Sequence, residues 1–280
     1  MNRAPNPVIE PPAAAGDAMN TPSKSLEARL LDRISKANKA FDLIAPGDKI
    51  MVALSGGKDS WALLYLLRAY RQKVPFDFSI VGVNLDQGHP GFPAQVLIDH
   101  LTAEGFDHRV VFKDTYSVVQ AKTPEGKTYC ALCSRMRRGI LHQIAEELGC
   151  RSIALGHHRD DVAQTLLLNV FFSGRMRGMP AKLEGPISVI RPMVYCAESE
   201  LAAYCDQVGA PILPCNLCGS QENLQRQEMK ALLNTLEGRH PSIKGNMLAA
   251  LTGAGLMAEG VAPVETAPEV IQDTLIQIEG

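Results

Sequence analysis

The chain has 280 residues, of which 46% are hydrophobic and 21% charged, and its formal net charge is −2. This composition is typical of globular proteins and excludes a fibrous protein, a disulfide-rich mini-protein and a chain that is disordered throughout. No apolar run reaches the roughly 18 residues of a membrane-spanning helix and the first residues lack a signal-peptide pattern, so we expect a cytoplasmic protein with no membrane partner.

Three segments differ in composition. Residues 1–24 are rich in Pro, Ala and Asn without periodicity, and we predict a disordered lead there. Residues 25–251 are predicted to form the folded domain, and residues 252–280 an acidic flexible tail. No Lys or Arg follows Lys244, whereas five acidic residues do, so the rest of the chain is mildly positive. Such a distribution is compatible with a nucleic-acid partner.

Helical and strand patterns alternate along the predicted domain. Apolar residues at helical spacing predict a first helix within residues 25–44, and short apolar runs then alternate with helical segments. Predicted strands cover residues 49–54, 78–85, 108–112, 152–155 and 188–191, and predicted helices cover 60–70, 94–104, 135–148, 160–172, 198–208, 225–236 and 240–251. This order predicts an α/β fold, a doubly wound parallel sheet of about five strands, with ligands at the carboxyl ends of the strands.

A phosphate-binding loop is predicted directly after the first strand. Glycines let the backbone N–H groups approach an anion, the helix start adds partial positive charge, and the lysine adds a full charge. The alternative is a tight turn with a Ser or Asp cap, which the combination of residue types disfavours. The predicted loop is Ser55, Gly56, Gly57, Lys58, Asp59 and Ser60.

Two further strand ends carry polar residues. Asp86 ends the second predicted strand, where it contacts a nucleotide or merely forms a turn. Residues 156–161 read Gly-His-His-Arg-Asp-Asp and connect the fourth predicted strand to a helix. The adjacent carboxylates Asp160 and Asp161 are suited to coordinating magnesium or accepting a proton, although they could also be plain helix caps.

Four of the seven cysteines form two Cys-x-x-Cys pairs, Cys130/Cys133 and Cys215/Cys218. In a reducing compartment such pairs indicate a metal, a cluster or redox chemistry, and a structural zinc site is the main alternative. The other three, Cys150, Cys196 and Cys205, are interpreted as small buried hydrophobic residues.

These motifs carry a family resemblance. The loop at residues 55–60 resembles the PP-loop of ATP pyrophosphatases, and Gly156, His157, Asp160 and Asp161 match the second motif of that family. The four motifs together, including Cys-x-x-Cys-Ser-Arg and Pro-Cys-Asn-Leu-Cys-Gly-Ser-Gln, resemble the tRNA 2-thiocytidine synthetase family over about residues 26–235.

The resemblance implies the chemistry and its cofactors. It implies that ATP, with Mg²⁺, adenylates the carbonyl at carbon 2 of cytidine 32 in tRNA, after which sulfur replaces AMP. It also implies a 4Fe-4S cluster held by three cysteines, a cysteine desulfurase as sulfur donor and a homodimer. Cys130 and Cys133 are two of the implied ligands. Cys218 is our choice for the third, because Cys-Gly-Ser resembles the corresponding segment of related thiolases, with Cys215 as the rival.

The tRNA partner would need a basic rim near the site. Two clusters of basic residues are candidates for this rim. Tyr129, Phe171 and Phe172 are candidates for stacking on bases, with burial in the core as the equal alternative. The clusters comprise Arg135, Arg137 and Arg138, and Arg175, Arg177 and Lys182. Two alternatives remain at this stage: another PP-loop adenylating enzyme with structural zinc, and a non-catalytic nucleic-acid-binding module. The second is disfavoured because a binding module has no use for residues that cleave ATP.

Overall fold

The computed structural model describes residues 25–122, 130–213 and 222–258. The strands are β1 (Lys49–Leu54), β2 (Ser79–Asp86), β3 (His108–Phe112), β4 (Ser152–Ala154), β5 (Lys182–Leu183) and β6 (Ser188–Ile190). The helices are α1 (Leu26–Phe41), α2 (Lys58–Arg71), α3 (Ala94–Ala103), α4 (Tyr116–Lys122), α5 (Cys130–Glu147), α6 (Arg159–Ser173), α7 (Glu198–Val208), α8 (Glu222–Arg239) and α9 (Ile243–Gly253).

Six strands form one sheet in the order β3-β2-β1-β4-β6-β5. Every neighbouring pair is parallel except β5 and β6. The predicted doubly wound parallel sheet is therefore confirmed, and its five predicted strands correspond to β1, β2, β3, β4 and β6. The sequence analysis did not predict β5, a two-residue antiparallel strand at the edge of the sheet.

The sheet is covered on both faces because its central strands are apolar at successive positions. On one face, Ile50 and Val52 belong to a core shared with buried residues of α1, α2, α7 and α9. On the opposite face, Met51 and Val83 pack in a second core with Leu141 and other residues of α5. This arrangement is the reason that β1 reads as a continuous apolar run rather than an alternating one.

The first helix shows how local sequence sets its limits. The Ser25 side chain accepts a hydrogen bond from the backbone N–H of Ala28, which caps the start of α1. Leu30, Leu31 and Ile34 lie on its buried face. Asp42 ends the helix in the left-handed conformation, with φ of +48°.

Three helices begin at the same edge of the sheet. Strands β2 and β3 lie on one side of β1, and β4 and β6 lie on the other, so the strand order changes direction between β1 and β4. Helices α2 and α6 follow the carboxyl ends of these two strands. Helix α5 directly precedes β4 and packs against it. Because the chain must return to the amino end of β4, α5 begins towards the carboxyl edge of the sheet. Ligands bind at this edge in such folds.

Several boundaries differ from the prediction. Helix α5 begins at Cys130, five residues earlier than predicted, and the short helix α4 was not predicted. Helix α9 ends at Gly253, and the following Leu256 and Met257 are buried. Residues 252–258 thus pack on the domain, unlike the flexible tail that we predicted from residue 252. The predicted lead at 1–24 and residues 259–280 lie outside the described residues.

Among the described segments, no helix combines the length and apolar character needed to cross a lipid bilayer.

Candidate functional site

The loop after β1 has the backbone shape of an anion-binding turn. Gly56 has φ of +83°, and a Cβ there would come within 2.9 Å of the Leu213 side chain. The Ser60 hydroxyl donates a hydrogen bond to the Gly57 carbonyl at 2.8 Å, which closes the turn. Helix α2 begins at Lys58, so the partial positive charge of its first turn lies beside the lysine. The six predicted loop residues therefore stand together at the carboxyl end of β1.

The second motif packs directly on this loop. A Cβ on Gly156 would lie 3.0 Å from the backbone carbonyl carbon and oxygen of Asp59, so a larger residue would push β4 and the loop apart. The hydrogen bond from the Leu213 backbone N–H to the Gly56 carbonyl, 2.9 Å long, brings a third segment to the same place. Leu213 is the last described residue before the second cysteine pair.

Lys58 lies in a cluster of charges. Its ammonium group contacts both carboxylate oxygens of Asp59 at 2.9 Å and Glu198 Oε1 at 3.0 Å. Lys230 Nζ contacts the same Glu198 oxygen at 2.7 Å. Burial lowers the pKa of Lys58, but the two carboxylates outweigh it and raise that pKa overall. Burial raises the pKa of Glu198, and the hydrogen bonds from Lys230 and Lys58 lower it overall.

The Asp160 side chain points into the protein. Its side chain is 4% exposed and accepts a hydrogen bond from Lys244 Nζ at 2.6 Å and another from the Glu198 backbone N–H at 2.9 Å. Lys244 also contacts Glu237 at 2.7 Å, so this buried lysine joins α6 to α8 and α9. Burial raises the pKa of Asp160, but these hydrogen bonds and nearby positive charges lower it overall.

Two other carboxylates flank His158. His158 Nε2 lies 3.7 Å from Asp59 Oδ1 and 3.4 Å from Asp161 Oδ2. Asp161 also accepts a hydrogen bond from the His158 backbone N–H at 3.1 Å, so it caps α6. The Asp59 and Asp161 side chains are 31% and 24% exposed, respectively, whereas that of Asp160 is nearly inaccessible. A hard cation needs accessible oxygens such as those of Asp59 and Asp161.

His157 is held as a neutral ring. Arg191 Nε lies 3.1 Å from His157 Nδ1, and because a guanidinium only donates, Nδ1 must accept and the proton lies on Nε2. Burial, followed by the charge of Arg191, lowers the pKa of His157 to about 4, although Asp161 partly opposes this shift. Below the ordinary pKa of 6.5, the unfolded chain therefore binds a proton that the folded protein does not.

We expect acid to lower the free energy of unfolding of the wild-type protein more than that of the His157→Gln variant. The neutral His157 ring contributes fully to the free energy of unfolding above pH 6.5, and this contribution is lost as the pH falls towards 4. Between pH 7.5 and pH 5 the loss amounts to about 2 kcal/mol. Anaerobic urea unfolding at the two pH values measures it, with His240→Gln at an exposed position as the control. Equal pH dependence of wild-type and His157→Gln proteins would contradict the assignment.

The second strand end forms a turn. Asp86 Oδ1 accepts a hydrogen bond from the Gly88 backbone N–H at 2.9 Å, which is the turn-forming role that we considered beside nucleotide contact. Next to it, the buried amide of Asn84 donates to the Leu54 carbonyl at 2.8 Å and ties β2 to the end of β1.

The structure describes five of the seven cysteines, one of the two Cys-x-x-Cys pairs and the three single cysteines. Helix α5 begins at Cys130 and includes Cys133, at the same edge of the sheet as the start of α2. Cys215 and Cys218 lie outside the described residues. Cys150, Cys196 and Cys205 are buried free thiols, as predicted.

The predicted basic rim is only partly supported. The three arginines of α5 and the pair Arg175 and Arg177 are exposed, and Phe171 and Phe172, at the end of α6, are 56% and 48% exposed. Lys182, in contrast, donates to the Asp42 carbonyl and pairs with Glu184, so it is occupied beside the end of α1.

Sequence reasoning missed Glu198, Lys230 and Lys244. Glu198 was treated only as the first residue of a helix, and the two lysines as parts of unremarkable helices. The only available signal was an acidic residue in the first turn of α7, a common feature of helix starts.

Known proteins are similar to this chain in sequence. The PP-loop domain family matches residues 26–212. The chain is 54% identical over 229 residues to the tRNA-cytidine(32) 2-sulfurtransferase of Sorangium cellulosum, with 81% of each chain covered. It is 52% identical to the protein of the same name from Vibrio vulnificus, covering 81% of this chain and 74% of that one.

Among solved structures, the chain is similar in fold to the U34-tRNA thiolase NcsA from Methanococcus maripaludis, which was solved with its 4Fe-4S cluster. The TM-score is 0.65 at 22% sequence identity, with 82% of this chain and 79% of that chain covered.

Proposed function

This chain belongs to the PP-loop family and, within it, to the tRNA-cytidine(32) 2-sulfurtransferases, and from this membership we propose how its residues act in ATP-dependent thiolation of tRNA. The reaction replaces the oxygen at carbon 2 of cytidine 32 with sulfur. The observation that carries the proposal is the packing of the loop at residues 55–60 against Gly156 at the carboxyl edge of the sheet, where α5 also begins with its cysteine pair.

Adenylation is the first chemical task. A cytidine carbonyl oxygen leaves poorly, so it must first become part of AMP. The oxygen attacks the α-phosphorus of ATP, and the bond to the β-phosphate breaks with its electron pair passing to pyrophosphate. The start of α2 and the ammonium group of Lys58 lie at this loop, where they can stabilise the negative charge on pyrophosphate.

Magnesium fits the exposed carboxylates of the site. Asp59 and Asp161 flank His158 and are accessible, and Mg²⁺ is commonly held by one or two carboxylates together with substrate phosphates. Asp160 is the less suitable ligand because its side chain is only 4% exposed and is held inside the protein by Lys244 and the Glu198 backbone N–H. We therefore assign a catalytic role to Lys58, Asp59 and Asp161, and a positioning role to Asp160.

The start of α5 is our proposed place for an iron-sulfur cluster. Cys130 and Cys133 lie in the first turn of α5, near positive backbone dipoles that favour thiolates. Leu213, which is hydrogen-bonded to Gly56, precedes Cys215 by two positions in the sequence. We propose Cys130, Cys133 and Cys218 as the ligands, with Cys215 as the alternative third ligand. When bound, a 4Fe-4S cluster with one open iron position supplies the sulfur that displaces AMP.

The partners follow from the reaction. The substrate is tRNA, and the exposed arginines of α5 and of residues 175–177 provide positive charge for its phosphates. We propose a cysteine desulfurase as the sulfur donor and a homodimer as the assembly, both as extensions of the family resemblance.

Mass analysis of nucleosides tests the function. We expect 2-thiocytidine in tRNA incubated anaerobically with the protein, ATP, Mg²⁺, iron and a sulfur source. We expect none with an ATP analogue that carries a methylene group between the α- and β-phosphates, because adenylation breaks that bond. The protein should be brown and contain iron and sulfide. A colourless zinc protein that still thiolates tRNA would overturn the cluster assignment, and thiolation with the analogue would overturn adenylation.

A further inference from the structure

Two lysines from distant parts of the chain meet at one carboxylate oxygen. Lys58 Nζ and Lys230 Nζ contact Glu198 Oε1 at 3.0 and 2.7 Å, so the two nitrogens are at most about 5.7 Å apart. Lys58 belongs to the phosphate loop, whereas Lys230 lies in the middle of α8. The exposed fractions of their side chains are 29% and 44%, so both lysines are partly exposed to solvent.

The position of Lys230 is fixed by the contacts of its helix. Glu237, two turns further along α8, accepts a hydrogen bond from Arg159 at 2.9 Å and contacts the buried Lys244 at 2.7 Å. Met229 and Leu233 on the same helix are 8% and 1% exposed. Helix α8 therefore cannot rotate freely, and Lys230 stays beside the loop.

A phosphate group can replace the Glu198 carboxylate between these cations. Both anions accept charge-assisted hydrogen bonds from ammonium groups, and a di- or triphosphate offers more charge than one carboxylate. We propose that Lys230 is a second phosphate ligand of the site, binding the pyrophosphate part of ATP together with Lys58. Glu198 holds Lys230 near that position. This inference rests on the proposed function for its nucleotide.

The competing explanation is that Lys230 merely docks α8 onto α7 through Glu198. The two roles differ in the ligands they affect. A phosphate ligand contributes to the binding of ATP and pyrophosphate but not to that of AMP, whose single phosphate is the one remaining after pyrophosphate leaves. A docking residue would affect all three ligands together, because it acts through the shape of the whole site.

Calorimetry with the cluster-containing protein separates the two roles. In Lys230→Met we expect the Kd values for ATP and for pyrophosphate to rise about tenfold, consistent with one charge-assisted hydrogen bond. The Kd for AMP should change less than twofold. Lys36→Met, at an exposed position on α1, removes the same charge far from the site and should change none of the three.

Unchanged pyrophosphate binding in Lys230→Met, or an equal loss for AMP, would overturn the inference. Wild-type protein that binds pyrophosphate but forms no 2-thiocytidine would overturn the proposed function instead, without affecting the selectivity measured for Lys230→Met.

Discussion

Replacing Cys130 with alanine is expected to abolish formation of 2-thiocytidine, at least a thousandfold below wild type, while ATP and tRNA still bind. Helix α5 begins at Cys130. If Cys130 is a ligand, as we propose, its removal leaves the cluster with only two cysteine ligands, too few to retain it. The loop itself is built from residues 55–60 and its contacts with Gly156, none of which involves α5. Nucleotide binding should therefore survive the substitution.

The measurement combines nucleoside mass analysis with iron and sulfide content and with separate binding assays for ATP and tRNA. Cys150→Ala is the matched control, because Cys150 is a buried thiol in the core between β4 and α5 and has no proposed ligand role. This control should retain iron and thiolation. Loss of tRNA and ATP binding in Cys130→Ala would mean that the cysteine is structural, and retained thiolation would remove it from the ligand set.

Much of the fold was predictable because its strands and helices are buried in a regular way. The apolar runs that became β1 and β3 kept their predicted limits. The two-residue strand β5 has no apolar run of its own and exists only because Lys182 and Leu183 pair with β6. Helix α4 was missed because seven residues after a strand leave no room for a helical repeat to show. Propensity and periodicity carry little information over such lengths.

The glycines and motifs of the candidate site could be predicted from the sequence. The side chains that contact those motifs from distant parts of the chain could not. Gly56 and Gly156 lie where a Cβ would collide with neighbouring chain segments. Such positions require glycine, and the glycines can be seen in the local sequence. Glu198 meets Lys58 across 140 positions, and Lys244 meets Asp160 across 84. A single sequence does not show such contacts, because either residue alone looks like an ordinary charged residue on a helix.

The distant partners are the reason that we propose a positioning role for Asp160 rather than the catalytic role predicted from the sequence. Asp160 and Asp161 are neighbours in sequence, and both were expected to bind magnesium or transfer protons. In the fold, Asp161 lies beside His158 with its side chain 24% exposed, whereas Asp160 contacts the buried Lys244. Asp161 thereby remains available for substrate or magnesium in the function that we propose. Asp160 anchors the start of α6 to α9 through Lys244.

The largest expected effect on stability belongs to Lys244→Met. Methionine has a similar length but no charge, so Asp160 and Glu237 would lose the ammonium group that lies 2.6 and 2.7 Å from them. With side chains that are 5% and 4% exposed, Lys244 and Asp160 gain little compensation from water. Removing one partner of a buried ion pair costs about 3–5 kcal/mol, which is a large fraction of the free energy of unfolding of an ordinary domain.

A double-substitution cycle separates the broken ion pair from a general packing defect. Asp160→Asn removes the charge that Lys244→Met leaves unpaired, so the double variant should be less destabilised than the sum of the two single variants by at least about 1 kcal/mol. Anaerobic urea unfolding of the four proteins at pH 7.5 measures the coupling. Lys39→Met, at an exposed position on α1, should change the free energy of unfolding by less than about 0.5 kcal/mol. Additive effects of the two substitutions would mean that Lys244 and Asp160 are not energetically coupled, and the anchoring role of Asp160 would then be wrong.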